Sequence, residues 1–245
     1  MPGQWLDTYV PEIPKPGGFT ITSPPSKAQR GFDPDAPAPY LELAVQKSPD
    51  NAVAQWLWQP TESILHSQLR VRIGGSFVWP PPSIDPSTLK KVVFVAGGVG
   101  INPLISILSH IAGTGGDAPP YDVQFFYSLK DPGPDREADS MPFIERLASI
   151  FSREKVKGSL HLFLTGGEQD AGGDSTVLAC NELDLPFEKR RITQSDLTQA
   201  IGPDKASVVV YICGLPTMTD EFVEKLTSPG GHALDPSRVL CEKWW

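Results

Sequence analysis

The chain has 245 residues, of which 40% are apolar, and its formal net charge at pH 7 is −8. This length accommodates two domains, and the apolar fraction is enough for a sizeable hydrophobic core. The negative charge disfavours nucleic acid as a partner, because the phosphate backbone would repel the chain.

Cysteine and histidine residues show no pattern typical of a metal site or a disulfide scaffold. Cys180, Cys213 and Cys241 form no Cys-x-x-Cys pair, which fits a reducing compartment. Four histidines lie singly along the chain, without the spacing of metal ligands, so we expect no metal. The first residues resemble neither a signal nor a transit peptide, so no targeting segment is expected in this chain.

Residues 1–86 predict a β-barrel or a β-sandwich, because short β-like runs alternate with proline-rich turns. The runs are "QWLDTYVP", "GGFTITSPP", "YLELAVQKS" and "LRVRIGGSF". In the third run, Leu41, Leu43 and Val45 recur at the period of a strand. The stretch "AVAQWLWQ" favours a short helix, and "WPPPSIDPST" is typical of a linker to a second domain.

Residues 87–245 predict a doubly wound α/β domain with a parallel sheet, because apolar strands alternate with helical patterns. The predicted strands are "KVVFVAG", "YDVQFFYSL", "SLHLFLTGG" and "ASVVVYICG". The predicted helices are "NPLISILSHIAG", "SMPFIERLASIFSRE", "TQSDLTQAIG" and "PTMTDEFVEKLTS". The apolar stretch 92–111 has the length of a membrane span, but its central glycines, Asn102 and Pro103 favour a strand, a turn and a helix. We therefore expect no membrane span.

The segment "VAGGVGINP" joins a predicted strand to a predicted helix and indicates an anion site. Such a turn aims backbone N–H groups and the positive helix end at a phosphate, and glycine lets the backbone approach closely. The usual dinucleotide pattern is Gly-x-Gly-x-x-Gly, whereas Gly98 and Gly100 are followed here by Pro103, which suits a first helical turn. A glycine-rich turn without a ligand is the alternative.

The segment "YICGLPTMTD" forms a second strand-to-helix turn. In a doubly wound sheet both turns lie at the carboxyl edge of the strands, where ligands bind. Cys213 in this turn is either a buried small hydrophobic residue or part of a nicotinamide pocket.

Together these motifs resemble the ferredoxin–NADP reductase superfamily, with its FR-type FAD-binding domain, over nearly the whole chain. The segments that carry the resemblance are "GQWLDTYVP", "GGFTITSPP", "VRIGGSF", "AGGVGINPLISIL", "FFYSLK", "YICGLPTMTD" and "CEKWW". The resemblance implies a partial flavin-type barrel over residues 1–86 and an NAD(P)-binding α/β domain over residues 87–245. It also implies an enzyme in which NAD(P)H passes a hydride to FAD or FMN, and electrons then reach an acceptor that the sequence leaves unknown.

The resemblance implies site residues by matching position. Those expected under the nucleotide pyrophosphate are Gly97, Gly98, Val99, Gly100, Asn102 and Pro103. Those expected along the nucleotide are Tyr127, Ser128, Lys130 and Thr165, with Lys130 as a phosphate partner. Those expected to border the nicotinamide are Cys213, Gly214, Pro216 and Met218. Those expected along the flavin are Phe19, Thr20, Ile21 and Thr22, with the Thr20 hydroxyl near flavin N5.

The terminal Trp245 matches an aromatic residue that covers the isoalloxazine in the superfamily and moves aside for the nicotinamide. Such stacking contributes about 0.5–1.5 kcal/mol beyond the buried area, little enough to be displaced. The candidate catalytic residues are thus Thr20, Cys213 and Trp245.

Three departures weaken the flavin half. The superfamily's flavin motif begins with arginine, whereas Gly17 occupies that position and Lys15 is the closest cation. Its next phosphate turn carries glycine and serine, where this chain has Asn51 and Ala54. Members also have two further strands before the "GQW" segment, so the barrel is expected to have open edges.

The coenzyme is expected to be NADH rather than NADPH. An NADP site pairs the 2′-phosphate with a basic side chain. The segment "TGGEQD" contains Glu168 and Asp170 and no basic residue. Arg190 or Arg191 folding back onto the nucleotide is the alternative.

Two other functions stay open. A degenerate nucleotide-binding module without turnover is motivated by Gly17, Ala54 and the short start. A dehydrogenase acting directly on an organic substrate needs an acid–base pair near the nicotinamide, and no such spacing is seen. The resemblance extends to mitochondrial proteins of animals and fungi, which implies a mitochondrial location, with a cytoplasmic one as the alternative.

Overall fold

The computed structural model describes residues 1–30, 38–113, 118–133, 136–166, 176–181 and 183–243. Within these residues the chain forms a three-stranded sheet and a seven-stranded sheet. The predicted fold class, a partial antiparallel barrel followed by a doubly wound, mostly parallel sheet, is confirmed.

The small sheet is antiparallel and has two edge strands among the described residues. Its strands are β1 (Trp5–Tyr9), β2 (Gly17–Thr20) and β3 (Arg70–Gly74), in the spatial order β2-β1-β3. Val71 and Ile73 of β3 pair in register with Thr8 and Leu6, which are buried. Val71 and Ile73 are nevertheless 43% and 58% exposed, and no described strand pairs with the free side of β3. The expected open edge is therefore present at β3.

The chain between β2 and β3 is mostly irregular. It contains the short helices α1 (Ala52–Leu57), which the sequence predicts, and α2 (Thr61–Ile64). The strand predicted at "YLELAVQKS" is wrong, since among the described residues this segment forms one isolated bridge, between Leu43 and Ile21. Its alternating pattern has no described neighbouring strand to pair with along its length. Instead, the Glu42 carbonyl accepts from the Thr22 N–H at 2.9 Å, and the Glu42 N–H donates to the Ser23 hydroxyl oxygen at 3.1 Å.

The large sheet is parallel except at one end. Its strands are β4 (Lys91–Gly97), β5 (Asp122–Lys130), β6 (Gly158–Thr165), β7 (Val177–Cys180), β8 (Leu183–Glu188), β9 (Val208–Gly214) and β10 (Val239–Lys243). Their spatial order is β10-β9-β4-β5-β6-β8-β7, and only the β7–β8 pair is antiparallel among the described pairs. The sequence patterns predict β4, β5, β6 and β9 but not the β7–β8 pair or β10.

Helices cover both faces of this sheet and agree with the four predicted helices. They are α3 (Ile101–Gly113), α4 (Ile144–Ser152), α5 (Gln194–Ile201) and α6 (Pro216–Thr227). The buried residues of α3 and α4 belong to one core cluster and those of α5 and α6 to the other. Thr193, the residue before α5, accepts a hydrogen bond from the Asp196 N–H in a capping box. Within the described residues, no helix combines the length and apolar character that crossing a membrane requires.

The central strand β4 is apolar from Val92 to Ala96 because both faces of the sheet are covered there. Val92, Phe94 and Ala96 face the cluster on the α3 side, whereas Val93 and Val95 face the cluster on the α5 side. All five residues are completely buried. A strand covered on both faces has no position for a polar side chain.

Direct contacts join the two sheets. Ser106 of α3 donates to the Ser23 carbonyl at 2.9 Å and accepts from the Gly3 N–H at 3.4 Å. Arg146 of α4 forms a bidentate ion pair with Glu42, with N–O distances of 2.7 and 2.9 Å. The seam between the sheets is therefore held by both buried and half-buried polar groups.

The segment before β4 packs against the large sheet, in the core cluster on the α3 side. Phe77 and Trp79 pack in the cluster on the α3 side, and the Tyr211 hydroxyl donates to the Val78 carbonyl at 2.8 Å. These contacts cross the predicted domain boundary between residues 86 and 87. The position of that boundary stays a prediction.

Candidate cofactor site

The strand order places a topological switch point between β4 and β9. After β4 the chain adds β5 and β6 on one side, whereas β9 lies on the other side of β4. β4 ends at Gly97 and β9 ends at Gly214, so the two predicted ligand turns lie side by side at the carboxyl edge. Open α/β sheets bind ligands at this position.

The glycines of the first turn have different surroundings. Gly98 is exposed, has a φ of +53°, and a β-carbon there would meet no described atom within 4 Å. Gly100 is buried, and a β-carbon there would collide with the Cys213 carbonyl. Gly100 therefore lets the turn pack on β9, whereas Gly98 leaves main chain open to an approaching phosphate.

The Met218 side chain lies over the ends of β4 and β9. A β-carbon on Gly97 would be 2.9 Å from the Met218 sulfur, and one on Gly214 would be 3.2 Å from Gly97 Cα. The two strand ends thus approach closely, and the thioether occupies the space above them. Met218 is half-buried in the first turn of α6, which begins at Pro216. Since methionine is unbranched and adaptable, this side chain forms an apolar floor that can move.

Asn102 and Val99 connect the turn to the small sheet. The Asn102 side-chain amide donates to the Ala44 carbonyl at 3.1 Å, so it points towards the small sheet. Val99 is 44% exposed and, like Asn102, lines a cavity shared with β2. Pro103 is buried within the first turn of α3, as its role in starting that helix requires.

This cavity has a volume of about 300 Å³ and lies between β2 and the glycine turn. Its described lining includes Phe19, Thr20, Lys47, Ser48, Asn51 and Val99. The volume is at the lower end of the range for ligand pockets. Phe19 and Thr20, which the resemblance places along a flavin, are therefore brought next to the turn expected to hold the nucleotide.

The other two residues expected along the flavin point elsewhere. Ile21 is buried and bridges to Leu43. The Thr22 hydroxyl donates to the Glu42 carboxylate at 2.9 Å. Neither side chain lines the cavity, and the expectation that this segment runs along a flavin stays a prediction for both residues.

Lys47 is a cavity residue that sequence reasoning misses. Its ammonium group lies 6.0 Å from the Trp58 ring centroid and contacts no carboxylate among the described residues. Ser48 beside it supplies a hydroxyl. The segment "QKSP" carries no motif that would identify either residue, whereas Lys15, the cation suggested by the sequence, does not line the cavity.

The position of Gly17 excludes the arginine that the superfamily has there. A β-carbon on Gly17 would lie 2.7 Å from the Phe19 ring and 2.9 Å from Val53 Cβ. The nearby Ala54 N–H is already bonded to the Asn51 side chain at 3.0 Å. Lys47 is thus the described cation that this cavity offers to a phosphate.

The Tyr127 side chain lies in the core, and the expectation that this residue runs along the nucleotide stays a prediction. Its side chain is completely buried on the same face of β5 as Phe125 and Leu129. Burial raises the pKa of Tyr127, and its hydroxyl has no hydrogen-bond partner among the described residues. Ser128 points to the opposite face, is half-buried and pairs in register with Gly97, beside the turn.

Cys213 is also a core residue. Its side chain is completely buried in the cluster on the α3 side, so it presents no surface to a nicotinamide. This burial favours the alternative of a small hydrophobic residue, and a catalytic role for Cys213 stays a prediction. Met218 and the exposed Leu215 are the side chains that border this part of the edge.

Lys130 and Thr165 extend the same edge. They pair in register at the ends of β5 and β6. Lys130 is exposed, whereas the Thr165 hydroxyl donates to the Leu129 carbonyl at 3.1 Å. The phosphate contact expected of Lys130 stays a prediction, and the Thr165 hydroxyl is engaged by the backbone.

Arg190 is engaged within the protein. Its guanidinium donates to both Asp196 carboxylate oxygens, at 2.7 and 2.8 Å, and to Glu188 at 2.8 Å. It also lies 4.8 Å from the Phe163 ring centroid. Trp245, Glu168 and Asp170 lie outside the described residues, so the expectations for them stay predictions.

Curated proteins align with this chain over nearly its whole length, although no protein-family model matches it. The chain is similar to oxidoreductase NAD-binding domain-containing protein 1 of Xenopus laevis, with 32% identity over 251 residues, covering 99% of this chain and 69% of the relative. The human protein of the same name is 31% identical over 253 residues, covering 99% of this chain and 70% of the relative.

Solved structures share the fold at low sequence identity. The CS-b5R domains of human Ncb5or, in an NAD⁺ form, give a TM-score of 0.65 at 18% identity over 98% of this chain. The flavohem-like FAD/NAD-binding domain of nitric oxide dioxygenase from Vibrio cholerae gives 0.61 at 15% identity, covering 99% of this chain and 84% of that one. The chain spans 60% of the length of the human structure.

Proposed function

Because the chain belongs to the family of oxidoreductase NAD-binding domain-containing protein 1 and has a ferredoxin–NADP reductase-like fold, we propose that it is a flavin-dependent NAD(P)H oxidoreductase. In this proposal the nucleotide binds at the Gly98 turn, and FAD or FMN binds in the cavity beside Thr20. The electron acceptor is not specified.

A single observation carries the proposal. Val99 and Asn102 belong to the open turn and also line the cavity that contains Phe19 and Thr20. A nucleotide on the turn and a flavin in the cavity would therefore be neighbours, as direct transfer between them requires. A bound flavin would supply the chemistry, by accepting a hydride from NAD(P)H and releasing electrons to an acceptor.

The residues of the chain have separate roles in this arrangement. The Gly98 backbone receives the nucleotide phosphates, and Lys130 lies further along the same edge. Thr20 is almost completely buried at the end of β2, so its hydroxyl offers the flavin a hydrogen bond shielded from water. Lys47 offers a charge to the flavin phosphate, and Met218 excludes water from the strand ends.

A preference for NADH over NADPH is part of the proposal. A 2′-phosphate needs a basic partner, and the contacts of Arg190 with Asp196 and Glu188 occupy its guanidinium. Arg191 is exposed and remains the alternative partner.

Reconstitution with a flavin tests the proposed function. The purified chain is mixed with FAD or FMN, desalted, and titrated with NADH under anaerobic conditions. We expect retained flavin absorbance that bleaches with NADH and is slower to bleach with NADPH. The control variant Gly98→Asp, whose carboxylate would repel the nucleotide and whose side chain tolerates positive φ, should retain flavin but lose the bleaching. A chain that binds flavin but is never reduced by either nucleotide would contradict the proposal.

A nucleotide-binding module without turnover is the second candidate. It is favoured by the steric exclusion of arginine at Gly17 and by the uncovered edge of β3. Calorimetry separates the two, because this candidate binds NADH and shows no heat with FAD or FMN.

A mitochondrial location is proposed from the resemblance alone. Fractionation of cells that express the full-length gene product tests it, and exclusive recovery in the cytosol would contradict it.

A further inference from the structure

A second and larger cavity lies on the seam between the two sheets, away from the glycine turn. Its volume is about 570 Å³, within the usual range for small-molecule sites. It is bounded by residues 23–27, by Tyr40 and Glu42, by the C-terminal half of α3, and by α4 with the turn after it. Asn102 lines the first cavity and Ser109 lines this one, and seven residues of helix separate them by roughly 10 Å.

The described lining of this second cavity is strongly cationic. Its four basic residues are Lys27, Arg146, Arg153 and Lys155, and its one carboxylate is Glu42. Because the whole chain carries a net charge of −8, this concentration of positive charge opposes the overall balance.

Only Arg146 among these cations is neutralised within the described residues. Its bidentate contact with Glu42, at 2.7 and 2.9 Å, is the first cause that lowers the pKa of Glu42. Lys27, Arg153 and Lys155 have no carboxylate within ion-pair distance among the described residues. Three positive charges therefore line the same cavity with no carboxylate paired to them in the part of the chain that the structure describes, an arrangement that a bound anion would stabilise.

Hydroxyl groups complete the lining. Ser26, Ser109 and Ser149 all contribute to the cavity wall. The Ser109 hydroxyl oxygen is buried and has no hydrogen-bond partner among the described residues, which is an unfavourable state for a polar group. Cations and hydroxyls in one cavity are the donor set that phosphate oxygens require.

We propose that this seam cavity binds a small soluble molecule bearing phosphate groups, separately from the flavin and nucleotide sites. The phosphate lies towards Arg153 and Lys155, because the carbonyl end of α3, which also lines the cavity at Gly113, repels anions. Lys27 closes the site from the small sheet. Binding joins both sheets across the seam that Glu42 and Arg146 already bridge.

Titration with pyrophosphate tests the proposal. Calorimetry is done on the full chain with NAD⁺ in excess, so that the Gly98 turn is covered. We expect saturable binding whose dissociation constant rises at least tenfold in the double variant Arg153→Ala/Lys155→Ala. The matched control Lys90→Ala/Lys225→Ala removes the same charge from two surface ion pairs outside the cavity and should bind as the wild type does. Equal weakening in both double variants, or no saturable binding by the wild type, overturns the proposal.

Two further arms keep the outcome decisive. Ser149→Leu fills the cavity without changing its charge and should also abolish binding. This variant tests the proposal even if the double variant fails to fold. Flotation with vesicles that contain phosphatidylinositol phosphates tests a lipid headgroup as the source of phosphate. The assignment to a soluble molecule is overturned if the wild type floats with the vesicles, Ser149→Leu does not, and the wild type shows no binding of pyrophosphate. The proposed oxidoreductase activity is scored separately, by the bleaching of bound flavin.

Discussion

The Asn102 side chain donates a 3.1 Å hydrogen bond to the Ala44 carbonyl, and this contact ties the start of α3 to the wall of the flavin-side cavity. Ala44 belongs to the irregular segment that also carries Lys47. A residue in the first turn of α3 thus helps to position the segment that carries Lys47, the cation proposed for the flavin phosphate. The two candidate half-sites are coupled by a side chain rather than by secondary structure.

Replacing Asn102 by alanine should loosen this coupling. The lost hydrogen bond lowers the free energy of unfolding by about 1 kcal/mol, and the affinity for flavin should fall as the segment carrying Lys47 moves. Urea denaturation and flavin fluorescence titration measure the two effects. Gln29→Ala removes an exposed amide elsewhere and should change neither quantity. Unchanged flavin affinity in Asn102→Ala would show that Ala44 is held by other contacts.

Alanine at Gly100 and at Gly98 should separate packing from backbone strain. A β-carbon on Gly100 meets the Cys213 carbonyl, so Gly100→Ala should lower the free energy of unfolding by about 1–3 kcal/mol, as overpacking does. A β-carbon on Gly98 meets open space, so that variant has only the cost of its positive φ, about 1 kcal/mol. Thermal unfolding should therefore rank Gly100→Ala below Gly98→Ala. The reverse order would mean that the turn does not pack on β9.

Lys47→Ala should weaken flavin binding about tenfold, which corresponds to the loss of about 1.4 kcal/mol. Lys47 is the described cation in the cavity. In this role it would replace the superfamily's arginine, whose position is occupied by Gly17, where a β-carbon already meets Phe19 and Val53. The matched control is Lys15→Ala, which removes an exposed lysine that does not line the cavity. Equal flavin dissociation constants for both variants would refute the role of Lys47, whereas a wild type that binds no flavin would refute the cofactor itself.

The strand-and-helix alternation of the second half was predictable because each element carries its own signal. β4 is apolar from Val92 onward and β9 is apolar along its whole length, whereas α5 follows the capping residue Thr193. The β7–β8 pair was not predictable in this way, since β8 alternates leucine with aspartate and contains a proline, and its pairing depends on β6 and β7. The strand predicted around Leu43 fails for the converse reason, because it has the pattern without the partner.

The candidate site was predictable only where the backbone forms it. The turns at Gly98 and Gly214 meet at one edge because parallel strands end together. Motif matching does not give the side of the strand on which a residue lies, so Tyr127 and Cys213 were expected at the site although both lie in the core. Lys47 carries no motif, and its place at the cavity depends on long-range packing of an irregular segment.

Acid should weaken the packing of α5 through Asp196. The hydrogen bonds from Arg190, followed by those from Thr193, lower the pKa of Asp196 to about 2, from an ordinary value of 3.8. A carboxylate whose pKa is lower in the folded state stabilises the fold above its unfolded pKa and loses that contribution as the pH falls to its folded pKa. The contribution is therefore complete above about pH 4 and is lost between about pH 4 and pH 2.

Urea unfolding at a series of pH values checks this. The wild type should lose about 1–2 kcal/mol across the interval through Asp196, a figure lowered from the full linkage value because Arg190 is partly exposed to solvent. Asp196→Asn should be less stable at pH 5 and should lose correspondingly less between pH 4 and pH 2. Glu154→Gln removes an exposed carboxylate beyond α4 and should keep the wild-type pH profile. A profile of Asp196→Asn parallel to that of the wild type would mean that the pair with Arg190 does not stabilise the fold, and would return Arg190 to the residues available for a 2′-phosphate.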